Sequence, residues 1–216
     1  LVNLLAQFIP ANERIVTVEE TSELRLQHDH VIPLECRTEN AEKTGGVNLR
    51  DLVRTALRMR ADRIIVGEVR GSEVLDMLQA MNIGHDGSLT TVHANSPRDV
   101  LRRLESLALM GDDGITRDSI REMIGSAVSV IVQLCRFSDG SRRVISISEV
   151  VEEDGALRVQ ELFGYRPTQS GESASQGKHF ATDTPSTSLE LAARRGFDVG
   201  HIIASRAAQR EATHEC

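Results

Sequence analysis

The sequence predicts an α/β fold: a mostly parallel sheet flanked by helices, then an antiparallel β meander and a helical tail. Three observations carry this expectation. Short β-branched runs at Arg14 to Val18, Arg63 to Gly67 and Leu89 to Val92 alternate with stretches whose apolar residues recur at helical spacing. From Val128 the pattern changes to strand-like runs at Val128 to Arg136, Arg142 to Val151 and Ala156 to Tyr165. Between those runs sit Asp139-Gly140 and Asp154-Gly155, dipeptides that favour tight hairpin turns.

In chain order, Leu1 to Ile9 reads as an apolar helix stopped by Pro10. Leu1 is not an initiator methionine and this run resembles the middle of a helix, so the chain is expected to be a fragment lacking its N-terminal part. The strand at 14–18 ends in Glu19-Glu20, and a polar stretch with Pro33 and Gly45-Gly46 follows. Leu49, Leu52, Val53, Ala56 and Leu57 then form one helical stripe, while Arg50, Arg54 and Arg58 share another face. A second helix carries Val74, Leu75, Leu78 and Met81 and ends near Asn82 and Gly84. Ser96-Pro97 is a helix start, with serine as cap and proline at the first helical position; Val100, Leu101, Leu104 and Leu107 form its stripe. Ile120, Met123, Ile124 and Ala127 mark one more helix. Thr168 to Ser188 is rich in Ser, Thr, Gly and Gln, and Leu189 onward reads as helical. The expected division is an α/β domain over 1–165, a linker or loop over 166–188 and a helical tail over 189–216.

With 216 residues and 40% hydrophobic content, the chain has enough apolar surface for a substantial core. A formal net charge of -7 argues against nucleic-acid or anionic-membrane binding by the chain as a whole, which leaves room for a local basic patch. Cys36, Cys135 and Cys216 are odd in number and far apart, which fits a reducing compartment better than a disulfide framework or a zinc site. No apolar run approaches the roughly 18 residues that suggest a membrane-spanning helix, so no direct span is expected.

Predicted strands end in Glu19-Glu20, Glu68 and His93, and in a parallel sheet such ends converge on one crevice where ligands bind. A carboxylate after Ile64-Ile65-Val66-Gly67 suits a residue that holds water on Mg2+ beside a nucleotide. Glu19 or Glu20 suits the orientation or deprotonation of an attacking water, and His93 suits a phosphate sensor or relay. Each feature also has an ordinary reading: apolar strands ending in glutamate are common, and an arginine row is more often a solvated face than a phosphate clamp. His28 and His30 lack a third partner for a metal. Residue chemistry alone therefore reaches no further than an α/β domain with a candidate phosphate or metal site.

Four motifs in order extend this reading. Ile15-Val16-Thr17-Val18-Glu19-Glu20 with Glu23-Leu24 resembles the acidic box of the type II/IV secretion ATPase superfamily. Residues 54–71, from Arg54 through Ile64-Ile65-Val66-Gly67-Glu68-Val69-Arg70-Gly71, are similar to its arginine-rich segment and atypical Walker B. Leu75 to Ser88 resembles the helix and loop that follow, and Thr90-Thr91-Val92-His93-Ala94-Asn95-Ser96 resembles its His box. The resemblance covers roughly residues 1–165 and is nearest to the tight-adherence (Flp) pilus assembly ATPases, the CpaF-like branch.

That resemblance implies a RecA-like P-loop NTPase core: a cytoplasmic, homohexameric ATPase using ATP and Mg2+, peripheral to the inner membrane through platform proteins, with no nucleic-acid partner expected. Matched by position, Glu19 corresponds to the acid that polarises water, Glu68 to the Walker B carboxylate (metal through water) and His93 to the His-box residue. Glu20, Arg54, Arg58 and Arg70 correspond to nucleotide-binding or supporting positions. Glu20 replaces the usual aspartate and Ala61 the usual proline, while no GxxxxGK[ST] loop occurs in the 216 residues. The first strand and phosphate loop of the core are thus expected to be missing, and the chain alone to be inactive. Two other classes stay open: a RecA-like DNA translocase or helicase, disfavoured by 3% aromatic content and no tryptophan, and a non-catalytic interaction subunit.

Overall fold

Ile15–Glu19 (β1) is buried at all five positions, the mark of a strand covered on both faces. It pairs in parallel with Val31–Glu35 (β2) on one side and Arg63–Val66 (β3) on the other. Leu89–Thr90 (β4) pairs in parallel with β3, giving the order β2-β1-β3-β4. The structure, a computed structural model, describes residues 1–111, 114–167 and 177–200. It divides into two compact units: residues 1–94 with 100–127, and residues 95–99 with those from 128 onward.

Helices line the first unit because their apolar stripes have a sheet to cover. Leu49–Ala56 (α2) buries Leu49, Leu52, Val53 and Ala56, and Glu73–Asn82 (α3) buries Val74, Leu75, Met77 and Leu78. Asn48 caps α2 by accepting the Asp51 amide at 3.0 Å, while the Asp51 carboxylate accepts the Asn48 amide at 3.4 Å, a reciprocal capping box. Pro97–Leu109 (α4) starts as expected, with Ser96 Oγ accepting the Asp99 amide at 3.2 Å. Arg117–Ala127 (α5) buries Ile120 and Ile124. At the chain start, Val2–Leu5 (α1) passes into a 3₁₀ turn, Ala6–Phe8, whose Ala6 packs with Ile9, Ile15 and Ile65.

The second unit is the antiparallel meander: Val130–Arg136 (β5), Arg142–Glu153 (β6), Ala156–Pro167 (β7) and Gly177–Ala181 (β8), in that spatial order. Asp154 and Gly155 both take left-handed backbone (φ 52° and 72°) between the paired Glu153 and Ala156, the two-residue turn that matches strand twist. Thr187–Arg194 (α6) follows.

Two strands depart from the sequence reading. The stretch after Glu20 contains β2, which tolerates Pro33 because it is an edge strand with one neighbour among the described residues. The segment expected as a linker, 166–188, contains the end of β7 and the whole of β8. The β8 sequence forms a strand because Phe180 lies directly across from Gly164, where the missing side chain leaves room for the ring. Of the predicted helical tail, α6 is described; residues 201–216 lie outside the described residues, as does 168–176 of the expected linker.

Candidate active site

All four strands of the parallel sheet point the same way, so the residues that follow β1, β3 and β4 gather at one edge. There a cleft of about 510 Å³ is lined by Glu19, Glu20, Gly67, Glu68, Arg70 and Thr91, with the first residues of the chain as a further wall. Sequence reasoning expects Glu19, Glu68 and His93 around one crevice. Glu19 and Glu68 line the cleft, and His93 reaches it through Glu68: its Nε2 lies 3.3 Å from Glu68 Oε1, on a side chain that is 91% exposed.

Glu19 is the buried acid of the group, 5% exposed. Its Oε1 accepts the backbone amides of Glu23 at 2.9 Å and Leu24 at 2.8 Å. Those bonds fix the carboxylate and offset its burial, since a buried charge without donors is costly. Its Oε2 accepts no hydrogen bond among the described residues. Gly67 is the neighbour that makes room: a Cβ there would stand 3.1 Å from Glu19 Cγ.

Glu68 sits at the centre of a charge relay on the cleft wall. Arg70 donates to Glu68 Oε2 at 2.7 Å and to Glu20 Oε2 at 2.9 Å, so one guanidinium bridges the loops after β1 and β3. The Arg70 hydrogen bond holds the Glu68 carboxyl below its ordinary range, with the His93 ring adding to that pull against partial burial. The loop carrying both residues is tied in place. Val69 N donates to Thr91 O at 3.0 Å and Thr91 Oγ1 donates to Gly67 O at 2.6 Å. Glu73 Oε1 accepts the amides of Arg70 at 2.6 Å and Gly71 at 2.8 Å.

The arginine row lies elsewhere. Arg54 donates to Asp76 Oδ1 and Arg50 to Asp76 Oδ2, each at 2.6 Å, and Arg50 also reaches Gly111 O at 3.1 Å. Arg54 thus ties α2 to α3 rather than lining the cleft. Arg58 is exposed. It follows α2 and precedes β3, and a helix joining parallel strands returns the chain to their starting edge, so Arg58 stands opposite the acids. Sequence reasoning missed Asp76 and Glu73. The signal that points to both is acidic residues in the first turn of α3, where a carboxylate faces the helix dipole and nearby backbone donors.

Metal chemistry has one candidate here. Among the described residues no three His, Cys, Asp or Glu side chains cluster as a ligand set. Both Glu68 oxygens are engaged, by Arg70 and His93, so a cation at this edge fits Glu68 through water rather than by direct ligation.

Known proteins resemble this chain over most of its length. The family model for type II/IV secretion system protein matches residues 1–183. A putative conjugal transfer protein of Mycobacterium tuberculosis (strain H37Rv) is 45% identical over 158 residues, which cover 72% of this chain and 44% of that protein. The type IV secretion system protein PtlH of Bordetella pertussis is 35% identical over 150 residues, covering 66% of this chain and 43% of PtlH. Among solved structures, the VirB11 ATPase from the Brucella suis type IV secretion system, crystallised with sulphate, superposes with a TM-score of 0.59 at 30% identity, over 68% of this chain and 43% of that one. The chain spans less than half the length of each of these relatives. Its parallel sheet has the RecA-like fold of these neighbours, and the chain belongs to the type II/IV secretion system protein family.

Proposed function

We propose that this chain is the carboxylate-bearing part of a motor ATPase that couples ATP hydrolysis to pilus assembly or protein secretion across the bacterial envelope. The observation that carries the reading is the pair Glu19 and Glu68, held at the ends of adjacent parallel strands and lining one cleft. Conjugal transfer and type IV secretion stand in the relatives' names, and this reading brings that setting to the chain. The same reading makes the protein a cytoplasmic homohexamer, docked on inner-membrane platform proteins and nearest to the Flp pilus branch.

In this reading the residues divide the work. Glu19, with Oε1 fixed by two amides, turns Oε2 to a water and accepts its proton as the γ-phosphate is attacked. Glu68 orders water around the nucleotide's Mg2+, which when bound neutralises charge on the phosphates. Arg70 keeps Glu68 ionised and aligned, and Glu20 keeps Arg70 in place. His93, exposed beside Glu68, answers to the phosphate end of the nucleotide. The loop that grips the β- and γ-phosphates has no counterpart in these 216 residues, so the chain alone is inactive.

The test is steady-state ATPase activity of the protein joined to its phosphate-binding loop. Glu19→Gln is expected to lower kcat by about 10²–10⁴-fold with little change in KM, the range of a positioned acid–base group. A kcat near wild type would remove Glu19 from the chemistry.

A further inference from the structure

Glu73 opens α3 and is buried, at 8% exposure, yet it does not line the cleft. A buried carboxylate is costly unless donors satisfy it. The donors here are not in its own helix: Oε1 turns back along the chain to the Arg70 amide at 2.6 Å and the Gly71 amide at 2.8 Å. Ser72, the residue placed to cap α3, has helical backbone (φ -68°, ψ -13°) and makes no side-chain cap bond. Gly71 leaves the carboxylate its room, since a Cβ there would stand 3.0 Å from Glu73 Oε2. The two acids of this first turn therefore serve different neighbours. Asp76 ties α3 to α2 through Arg50 and Arg54, and Glu73 ties α3 to the loop before it.

That loop carries the bridge of the cleft wall. Arg70 reaches Glu68 at 2.7 Å and Glu20 at 2.9 Å with a side chain that is 60% exposed, so packing does not hold it in one rotamer. A long exposed side chain keeps two such bonds best when its own backbone is fixed, because little else limits its freedom. Upstream, Thr91 fixes the loop through Gly67 O and Val69 N. Downstream, Glu73 supplies the matching clamp, and bonds to a charged acceptor are roughly twice as strong as neutral ones.

We propose that Glu73 is a positioning residue for the cleft: it fixes the Arg70 backbone and through it the aim of the guanidinium on Glu68 and Glu20. The inference rests on the ATPase reading above and adds to it a residue outside the cleft wall. Its contribution is geometric, so its loss lowers kcat rather than raising KM. Misplacement by a fraction of an ångström at a reacting centre costs about 10–100-fold in rate, which sets the expected size.

Two measurements on Glu73→Ala test it. In the 216-residue chain, hydrogen exchange at the Arg70 and Gly71 amides should quicken by at least about tenfold, and Glu73→Gln, which keeps an acceptor oxygen, should restore most of the protection. In the protein carrying its phosphate-binding loop, kcat should fall about 10–100-fold with KM little changed. Asp76→Asn disturbs the same turn of α3 without touching the loop, so it should lower the melting temperature and leave kcat near wild type. Combined with Arg70→Ala, Glu73→Ala should cost little further, because both act through one contact. Unchanged exchange at residues 70 and 71, an equal kcat loss in Asp76→Asn, or additive losses with Arg70→Ala would each overturn the proposal. Its failure differs from that of the ATPase reading. Wild-type turnover in Glu68→Gln would remove that reading and this role with it, whereas a dead Glu68→Gln beside a fully active Glu73→Ala would remove the role of Glu73 alone.

Discussion

Arg70 and Glu68, two residues apart in the loop after β3, form a 2.7 Å ion pair on the wall of the cleft. Arg70 is the first cause of the lowered Glu68 pKa, ahead of the contribution from His93. Arg70→Ala should therefore move the Glu68 carboxyl titration upward, toward its ordinary value of 4.5. Carbon NMR of the labelled carboxyl reads this directly. An unmoved titration would mean that the pair is not formed in solution.

Glu149 holds a different junction, between β6 and α6. Its Oε1 accepts from Ser188 N, Ser188 Oγ and Thr187 Oγ1, each at 2.6 Å, and its Oε2 accepts from Gln160 Nε2 at 3.0 Å. Burial alone would raise its pKa, but these bonds favour the charged form and bring it down to about 2. A depressed carboxyl contributes stability that is present above its unfolded pKa and lost as pH falls through the folded one. The contribution, about 3 kcal/mol, should be intact above roughly pH 4.5 and gone near pH 2. Glu149→Gln should lower stability at pH 7, and its gap to wild type should close across that window. A gap that does not change between pH 6 and pH 2.5 would contradict the assignment.

The acids at the sheet edge were legible because each ends an apolar β-branched run, and parallel pairing then fixes which edge they share. Arg54 was not, because its partner Asp76 lies 22 residues away and no local pattern joins them. Arg58 shares a helical face with Arg54 in periodicity, yet it falls beyond the last residue of α2 and at the opposite edge of the sheet. β2 and β8 escaped because proline in one, and a serine- and glycine-rich flank in the other, mimic loops that tertiary pairing overrides.

Asp76 anchors two guanidiniums from a site whose side chain is 8% exposed. Asp76→Asn should destabilise the protein by about 1–3 kcal/mol, the cost of a broken charge-assisted bond to a buried group. Arg50→Ala should lower the melting temperature more than Arg54→Ala. Arg50 is 27% exposed and also binds the Gly111 carbonyl, whereas Arg54 is 54% exposed and screened. Thermal melts of the three variants check the order, and an Arg54 effect equal to that of Arg50 would contradict it.

Residues 1–216 by themselves should bind Mg-ATP weakly, because no GxxxxGK[ST] loop among them supplies the phosphate cradle. Calorimetry is expected to show a Kd above about 1 mM, corresponding to less than about 4 kcal/mol of binding. Micromolar affinity would mean that the acids of this edge and Arg70 suffice.

In the proposed function Glu68 serves ATP hydrolysis, and the variant that replaces its carboxylate by an amide reads that role. In the protein carrying its phosphate-binding loop, Glu68→Gln should keep nucleotide affinity, because the side chain is isosteric and the strand end repacks little. Turnover should fall by about 10²–10⁴-fold as the charge that orders water is lost. His93→Ala, changing a side chain that is 91% exposed, should cost less. Steady-state ATPase rates with bound-nucleotide titrations give both numbers. Near-normal binding with turnover nearly abolished is the expected result for Glu68→Gln; hydrolysis at close to the wild-type rate would leave the carboxylate after β3 with a structural role only.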